Sequence, residues 1–270
     1  MVPAEASTHL RIQRAAAGLA STASGGYNPA CRRTMRRTTA GIERLIRAAR
    51  RRGERVLSEH DSKRVLAAYG VPVTREALVR TSAEAAAAAR RIRYPVALKA
   101  SLPGEAHKTE RGLVALGLGG ERALRAALGT LRARAGPGFR GEFLVQEMVR
   151  GSRELALGMV RDPQFGPCVM LGLGGIFTEI LQDAVFRVAP LSRGDAREML
   201  GALRARRILE PVRGLPAVDR GALGRSLVAV GRIGLDHPDI AAIDVNPLIV
   251  RGATPVAVDA LVVLSPAPTP

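Results

Sequence analysis

The stretch that most restricts this chain is Ile240 to Ala260, IAAIDVNPLIVRGATPVAVDA. It reads as two apolar strands joined by a Gly-containing turn, Arg251-Gly252-Ala253-Thr254. Val, Ile, Ala and Leu dominate both strands, so Asp244, Asn246 and Asp259 stand out. Residues two apart on a strand share a face, which puts Asp244 and Asn246 on one side. A hairpin can bring Asp259 beside them. Two carboxylates and a carboxamide form a hard oxygen set, suited to Mg²⁺ that is holding substrate phosphates. An Asx turn before Pro247 and a solvated edge carboxylate would use the same residues, so the rest of the chain has to decide.

With 270 residues the chain can bury a good core, as one large domain or two small ones. No window approaches the roughly 18 apolar residues of a membrane span. Cys31 and Cys168 lie far apart with no second pair. They suggest neither a zinc site nor a disulfide framework, and a reducing cytoplasm is expected. The net charge of +17 is uneven, because residues 1–57 carry twelve arginines against three glutamates. The body is only mildly basic, which suits an ATP site. Aromatics for base stacking are scarce and no nucleic-acid-binding signature is visible, so neither nucleic acid nor membrane is expected as a partner.

Residues 1–40 are Ala, Ser, Thr and Arg with hardly any acid. That resembles a transit peptide in composition, but a disordered basic extension is the reading preferred here. Residues 41–57 read as a basic lead-in helix. Ser58 with Asp61 marks a helix start, and that helix should run to about Tyr69. VPVTREALV follows as a strand. Thr81 and Glu84 form a capping box for an Ala-rich helix, which Pro95 closes before the strand PVALKAS. The strand LVALGL, a helix near 121–135 and the strand EFLVQEMV complete the first half. ELALGMVRD, PCVMLGLGG, FTEILQ and VFRVAP are strand-like, helices near 195–205 and 219–234 follow, and the opening hairpin ends the order. The expected fold is α+β in two lobes, 58–148 and 149–265, with a tail at 266–270.

No GxxxxGK[ST] is present, so a nucleotide site would not be a P-loop. Lys99 lies among Val, Ala and Leu and needs either an anion or an exit to water. Gln146-Glu147-Met148-Val149 ends a strand at the lobe junction, where an adenine can bond to backbone. Glu154 can reach a ribose, although a surface glutamate would look the same. His107-Lys108-Thr109 lies in a Gly-flanked loop. A neutral imidazole there is a plausible phosphoryl acceptor, and surface decoration is the plainer reading. Gly172-Leu173-Gly174-Gly175 allows close backbone approach to an anion, or forms a bulge between core strands.

Taken together, LSEHDSKRVLAAYGVPV, YPVALKAS, HKTERG, FLVQEMV, RDPQFGPCVMLGLGGIFTEILQD, RVAPLS, and IDVNPLIV with AVDA resemble a known pattern. Residues 50–264 look like the ATP-grasp nucleotide-binding (β) subunit of ADP-forming acyl-CoA synthetases, the acetate–CoA ligase (ADP-forming) type, related to the succinyl-CoA synthetase β subunit. The resemblance implies a two-lobed ATP-grasp fold with the nucleotide cleft between the lobes. It implies that Lys99 contacts ATP phosphates, with Lys108 also on the nucleotide. Gln146, Glu147 and Val149 would form the adenine hinge, with Glu154 nearby. Asn246 and Asp259 would hold Mg²⁺. His107 would relay phosphate, and Asp244 would stand near an incoming phosphohistidine. The family loop usually reads His-Lys-Ser-Asp, one residue, then two glycines; here Leu113 replaces the second glycine and restricts the backbone beside His107.

The family's CoA-binding and ligase domains have no room in 270 residues. The resemblance therefore implies a separate α subunit that handles CoA and a small carboxylic acid. Two other classes fit parts of the pattern. One is an ATP-grasp ligase that makes an acyl phosphate for an amine, against which Asp244 and His107 argue. The other is a non-catalytic nucleotide-sensing module, which nucleotide binding without phosphoryl transfer would reveal.

Overall fold

The computed structural model describes residues 32–101, 111–175 and 183–266, with side chains from residue 40. Two antiparallel sheets organise them. The first contains β1 (Glu76–Val79), β2 (Val96–Ser101), β3 (Val114–Leu118) and β4 (Glu142–Glu147), in the order β1-β4-β2-β3. Helices α3 (Ser82–Ile92) and α4 (Glu121–Ala135) cover one of its faces. The second contains β5 (Glu154–Asp162), β6 (Gly166–Leu173), β7 (Ala184–Val188), β8 (Ile240–Arg251), β9 (Thr254–Ala257) and β10 (Leu261–Leu264). Its order is β10-β8-β5-β6-β7, with β9 beside β8. Helices α5 (Arg193–Ala202) and α6 (Arg220–Asp236) pack on it, and α1 (Arg32–Arg51) and α2 (Glu59–Ala68) precede both sheets.

The helix starts follow local chemistry. Ser58 accepts the Asp61 N–H at 3.1 Å, and Thr81 with Glu84 forms the expected capping box. Such a cap contributes about 1 kcal/mol. Ser192 with Asp195 caps α5, and Asp219 accepts the Ala222 N–H at the start of α6.

Each sheet has its own core. Val79, Leu98, Phe143 and Val145 pack with Leu124, Leu128 and Leu131 of α4. Leu155, Leu157, Val169 and Leu171 pack with Leu223, Leu227 and Val230 of α6. Side chains alternate along a strand, so the residues between these core positions face the other way. On β2 those are Ala97 and Lys99, on β4 Gln146, on β5 Glu154, and on β8 Asp244 and Asn246. All of them line the space between the two sheets.

Four expectations are corrected. The lead-in helix is Arg32–Arg51 and not 41–57, ending before Gly53 at φ 73°. Arginine is a good helix former, which suits the Arg-rich upstream turns, and among the described side chains Ile42, Ile46 and Ala49 are buried. The helix expected near 195–205 is α5, ending at Ala202, with a short 3₁₀ turn at Arg206–Leu209. The chain after Asp259 forms a third strand, β10, on the same edge of β8. Finally, α2 was assigned to the first lobe, 58–148, but Val65 and Leu66 are buried in the core of the second sheet. Ser62 Oγ also accepts the Val262 N–H of β10 at 3.1 Å. The expected strand FTEILQ falls within 176–182 and lies outside the described residues. Among the described residues no helix is long and apolar enough to cross a membrane.

Candidate functional site

The Ile240–Ala260 hairpin lines the space between the two sheets. Leu248 pairs with Ala257, and the same register resumes where Asp244 pairs with Leu261. Asn246 and Asp259 therefore stand at opposed positions, in the gap where the strands part between β9 and β10. On the other edge of β8 the ladder is irregular. Leu155 pairs with Leu248 and Leu157 with Val245, so Ala156 alone opposes Asn246 and Pro247. A bulge of this kind redirects side chains. Asn246 Oδ1 accepts the Gly175 N–H at 3.2 Å. Two glycines allow that approach. Gly174 lies so close to β5 that an added Cβ would fall 2.6 Å from the Leu155 carbonyl oxygen, and Gly175 has φ +62°.

Lys99 comes from the opposite sheet. Its side chain is only 8% exposed, and its Nζ donates to Glu59 Oε1 at 2.6 Å. Asp259 Oδ2 is 3.8 Å away. Burial would lower the Lys99 ammonium, but Asp259 and Glu59 outweigh it and hold its pKa above the ordinary lysine value. Glu59 Oε1 also accepts from Lys63 Nζ at 2.9 Å. Lys63 is almost fully enclosed and further donates to Thr74 Oγ1, to Gln146 Oε1 and to the Val258 carbonyl, and it pairs with Glu76. Sequence reasoning missed Glu59, Lys63 and Glu76. A signal was present, because Glu59, Ser62, Lys63 and Leu66 follow helical spacing and form the buried stripe of α2. Charges on an apolar stripe ask for partners.

The residues expected to form the adenine hinge divide by side chain and backbone. The Gln146 side chain is committed to Lys63 and, through Nε2, to the Val258 carbonyl at 3.1 Å. The Glu147 carboxylate accepts from the Arg75 backbone and guanidinium, both at 2.9 Å, and reaches Arg251 at 3.4 Å. The main chain and the side chains of Met148 and Val149 are left to face a ligand at this end. The cleft so enclosed measures about 400 Å³. It brings together Lys99, Gln146, Glu147, Val149, Glu154, Asp244, Asn246 and Asp259. Val114, Leu116 and Leu261 supply apolar walls, and Leu116 is 64% exposed at the mouth. His107 and Lys108 lie outside the described residues.

A family model described as ATP-grasp domain matches residues 48–264. The chain belongs to the ATP-grasp family. Over 215 residues it is 38% identical to the β subunit of acetate–CoA ligase (ADP-forming) I of Pyrococcus furiosus, covering 78% of this chain and 92% of that one. It is also 38% identical to acetate–CoA ligase (ADP-forming) I of Archaeoglobus fulgidus, but spans only 32% of that longer protein. Among solved structures it is similar to dinucleotide-forming acetyl-coenzyme A synthetase 1 of Ca. Korarchaeum cryptofilum. A chain of its complex with coenzyme A and Mg-AMPPCP, with a phosphohistidine segment pointing towards the nucleotide-binding site, matches with TM-score 0.74 and 38% identity. The match covers 83% of this chain and 100% of that one.

The ATP-grasp fold therefore holds here as two antiparallel sheets facing each other across a charged cleft. Two of its oxygen-bearing side chains could suit a particular kind of ion. Among the described residues no cluster of three or more His, Cys, Asp or Glu side chains could hold a metal by itself. Asn246 and Asp259 offer hard oxygens, which suits Mg²⁺ when phosphates complete the coordination.

Glu147 gives a testable consequence of the hinge geometry. Its burial opposes ionisation, but the bonds from the Arg75 backbone and side chain win and lower its pKa. As pH falls, the unfolded chain then takes up this proton before the folded one does. The stabilisation is fully present above the unfolded value of about 4.3 and is lost as pH falls through the folded value. Thermal melts of wild type and Glu147→Gln should differ most near neutral pH and converge on acidification. A constant gap across that range would show that the carboxylate charge is not what holds the hinge.

Proposed function

We propose that this chain is the nucleotide-binding subunit of an acid–CoA ligase (ADP-forming), supporting acid + CoA + ATP ⇌ acyl-CoA + ADP + Pi. The observation that carries the reading is the pairing, in one cleft, of a buried lysine with an oxygen set from the facing sheet. Lys99 offers the γ- and β-phosphates a fixed cation in a dry site, where electrostatic stabilisation is strongest. Mg²⁺ held by Asn246 and Asp259 would add charge neutralisation on the same phosphates. The main chain at Glu147 to Val149 would bond the adenine edge, and Glu154 would receive the ribose hydroxyls. His107 would accept the γ-phosphoryl group on an imidazole nitrogen while ADP departs, with Lys108 close to the phosphates. Asp244 would accept the other imidazole N–H of a phosphohistidine segment and hold its ring in line. The CoA chemistry would lie on a separate α subunit, which would also bind the carboxylic acid, in the cytoplasm.

Two experiments test this reading. Calorimetric titration with ADP should show binding that strengthens with Mg²⁺. Asn246→Ala and Asp259→Ala should each remove that strengthening while the melting temperature stays near wild type, because neither side chain belongs to a core. Unchanged Mg²⁺ dependence in both would leave the hairpin a structural turn. In turnover assays the purified chain should make no acyl-CoA alone and should gain activity with a cognate α subunit. In that mixture His107→Asn should lose at least about a hundred-fold in turnover, the lower end for a lost proton-transfer or nucleophilic group, with nucleotide affinity kept. Normal turnover by His107→Asn would mean that phosphate bypasses this residue. Acyl-CoA made by the isolated chain would contradict the partner reading.

A further inference from the structure

We infer that the exposed turn Val212–Leu215 is a docking point for the separate α subunit, with Arg213 at its tip entering an acidic surface of that partner. This rests on the reading of the chain as one of two ligase subunits. The Val212 N–H donates to the Leu215 carbonyl at 3.2 Å, and the Leu215 N–H donates to the Val212 carbonyl at 2.9 Å, so the chain reverses within four residues. Both central residues have positive φ, 47° at Arg213 and 80° at Gly214. A reversal of that kind favours Asn-Gly or Gly-Gly, because a longer side chain at its first central position is crowded against its own backbone. Arginine is a strained choice there. Its guanidinium is exposed and, among the described residues, has no hydrogen bond or ion pair that would explain it as part of the fold.

The turn stands on a rigid base. Arg153 is buried, and its guanidinium donates to the carbonyls of Ile208 and Glu210 on one arm, of Pro216 on the other, and of Gly252 in the turn after β8. The Val218 N–H closes the base on the Leu209 carbonyl at 2.9 Å, and both side chains are buried in the core of the second sheet. Pro211 and Pro216 stiffen the two arms. A loop held this way loses little freedom on binding. Its surface carries Arg206, Arg207 and Arg213, all exposed, and among the described residues none of them pairs with an acid. Glu210, the one acid of the loop, is already paired with Arg220. Val212, 42% exposed, adds apolar surface next to Arg213. Arginine beside apolar surface suits the centre of an interface. Unmatched cations call for carboxylates, and a net charge of +17 makes a second copy of this chain a poor occupant. The loop is also tied to the cleft. Arg153 directly precedes Glu154, which lines the cleft, and Gly252 directly follows Arg251, which reaches Glu147. A subunit that exchanges a phosphoryl group with the cleft needs an anchor near it.

The test is calorimetric titration of the full chain with the purified α subunit, at low and at high salt, for wild type, Arg213→Gly and Arg213→Lys. Melting temperature and ADP affinity are measured alongside. Absence of wild-type binding would defeat the two-subunit reading itself and not this inference alone. Given wild-type binding that weakens with salt, Arg213→Gly should lose at least about ten-fold in affinity for the α subunit, together with part of the salt dependence. Its melting temperature should match or exceed that of wild type, because glycine accepts the positive φ without strain, and its ADP affinity should not move. A fold that needed Arg213 would lose melting temperature instead. Arg213→Lys keeps the charge without the planar fork and should fall between the two, and it carries the test should the glycine variant not fold. A folded variant of either kind that binds the α subunit as tightly as wild type overturns the inference. So does a loss of ADP affinity in step with the loss of binding, or sedimentation of the isolated chain as a dimer that Arg213→Gly dissolves.

Discussion

Between the two sheets, two lysines share one carboxylate oxygen. Glu59 Oε1 accepts from both Lys63 and Lys99. Each of the three groups is nearly dry, and each is carried by a different turn of chain. Burying them is expensive, and breaking a buried pair by removing one partner typically costs about 3–5 kcal/mol. The cost is tolerable here because almost every donor and acceptor is engaged. Lys63 alone contacts Glu59, Thr74, Glu76, Gln146 and the Val258 carbonyl. Those partners come from α2, from the segment that leads into β1, from the first sheet and from the loop between β9 and β10. The cluster therefore sets how the two sheets face each other, beyond what their separate apolar cores can fix.

The consequences run outward to the cleft. Lys63 and the Val258 carbonyl hold Gln146, so the hinge presents main chain and not a free amide. Arg75 and Arg251, one from each side of the junction, hold Glu147. Lys99 is steered to the floor of the cleft with its charge intact, opposite the hairpin oxygens. The division of labour is consistent with phosphoryl transfer, where positioning and charge stabilisation do most of the catalysis. It also leaves the apolar walls at Val114, Leu116 and Leu261 free to cover the flat face of a base.

Much of this was legible in the sequence because the relevant signals are local. The Thr81–Glu84 capping box and the Arg251–Thr254 turn are patterns within a few residues, and both stand in the structure. Period-two alternation placed Asp244 and Asn246 on one face before any fold was known. Lys99 was conspicuous as a charge in an apolar strand. What the sequence could not supply was its partner, because Glu59 lies forty positions upstream on a helix that packs on the other lobe. The i, i+4 pair Glu59–Lys63 has the spacing of an ordinary helix ion pair, and only its burial sets it apart. β10 was missed because LVVL is too short to distinguish a strand from a tail without its neighbour β8. The basic helix was drawn too short because its upstream turns have no apolar stripe to read.

The claim on which the whole account turns is that the enclosed Lys99 ammonium is there for an anion and not for the fold. Calorimetric titration of Lys99→Met with Mg-ADP tests it directly. Glu59 would keep its bond to Lys63, so the variant should stay folded, and a lost charge-assisted contact of about 1.5–3 kcal/mol should weaken ADP roughly ten- to hundred-fold. A folded Lys99→Met that binds Mg-ADP as tightly as wild type would contradict the account, and would make Lys99 a structural partner of Glu59 alone.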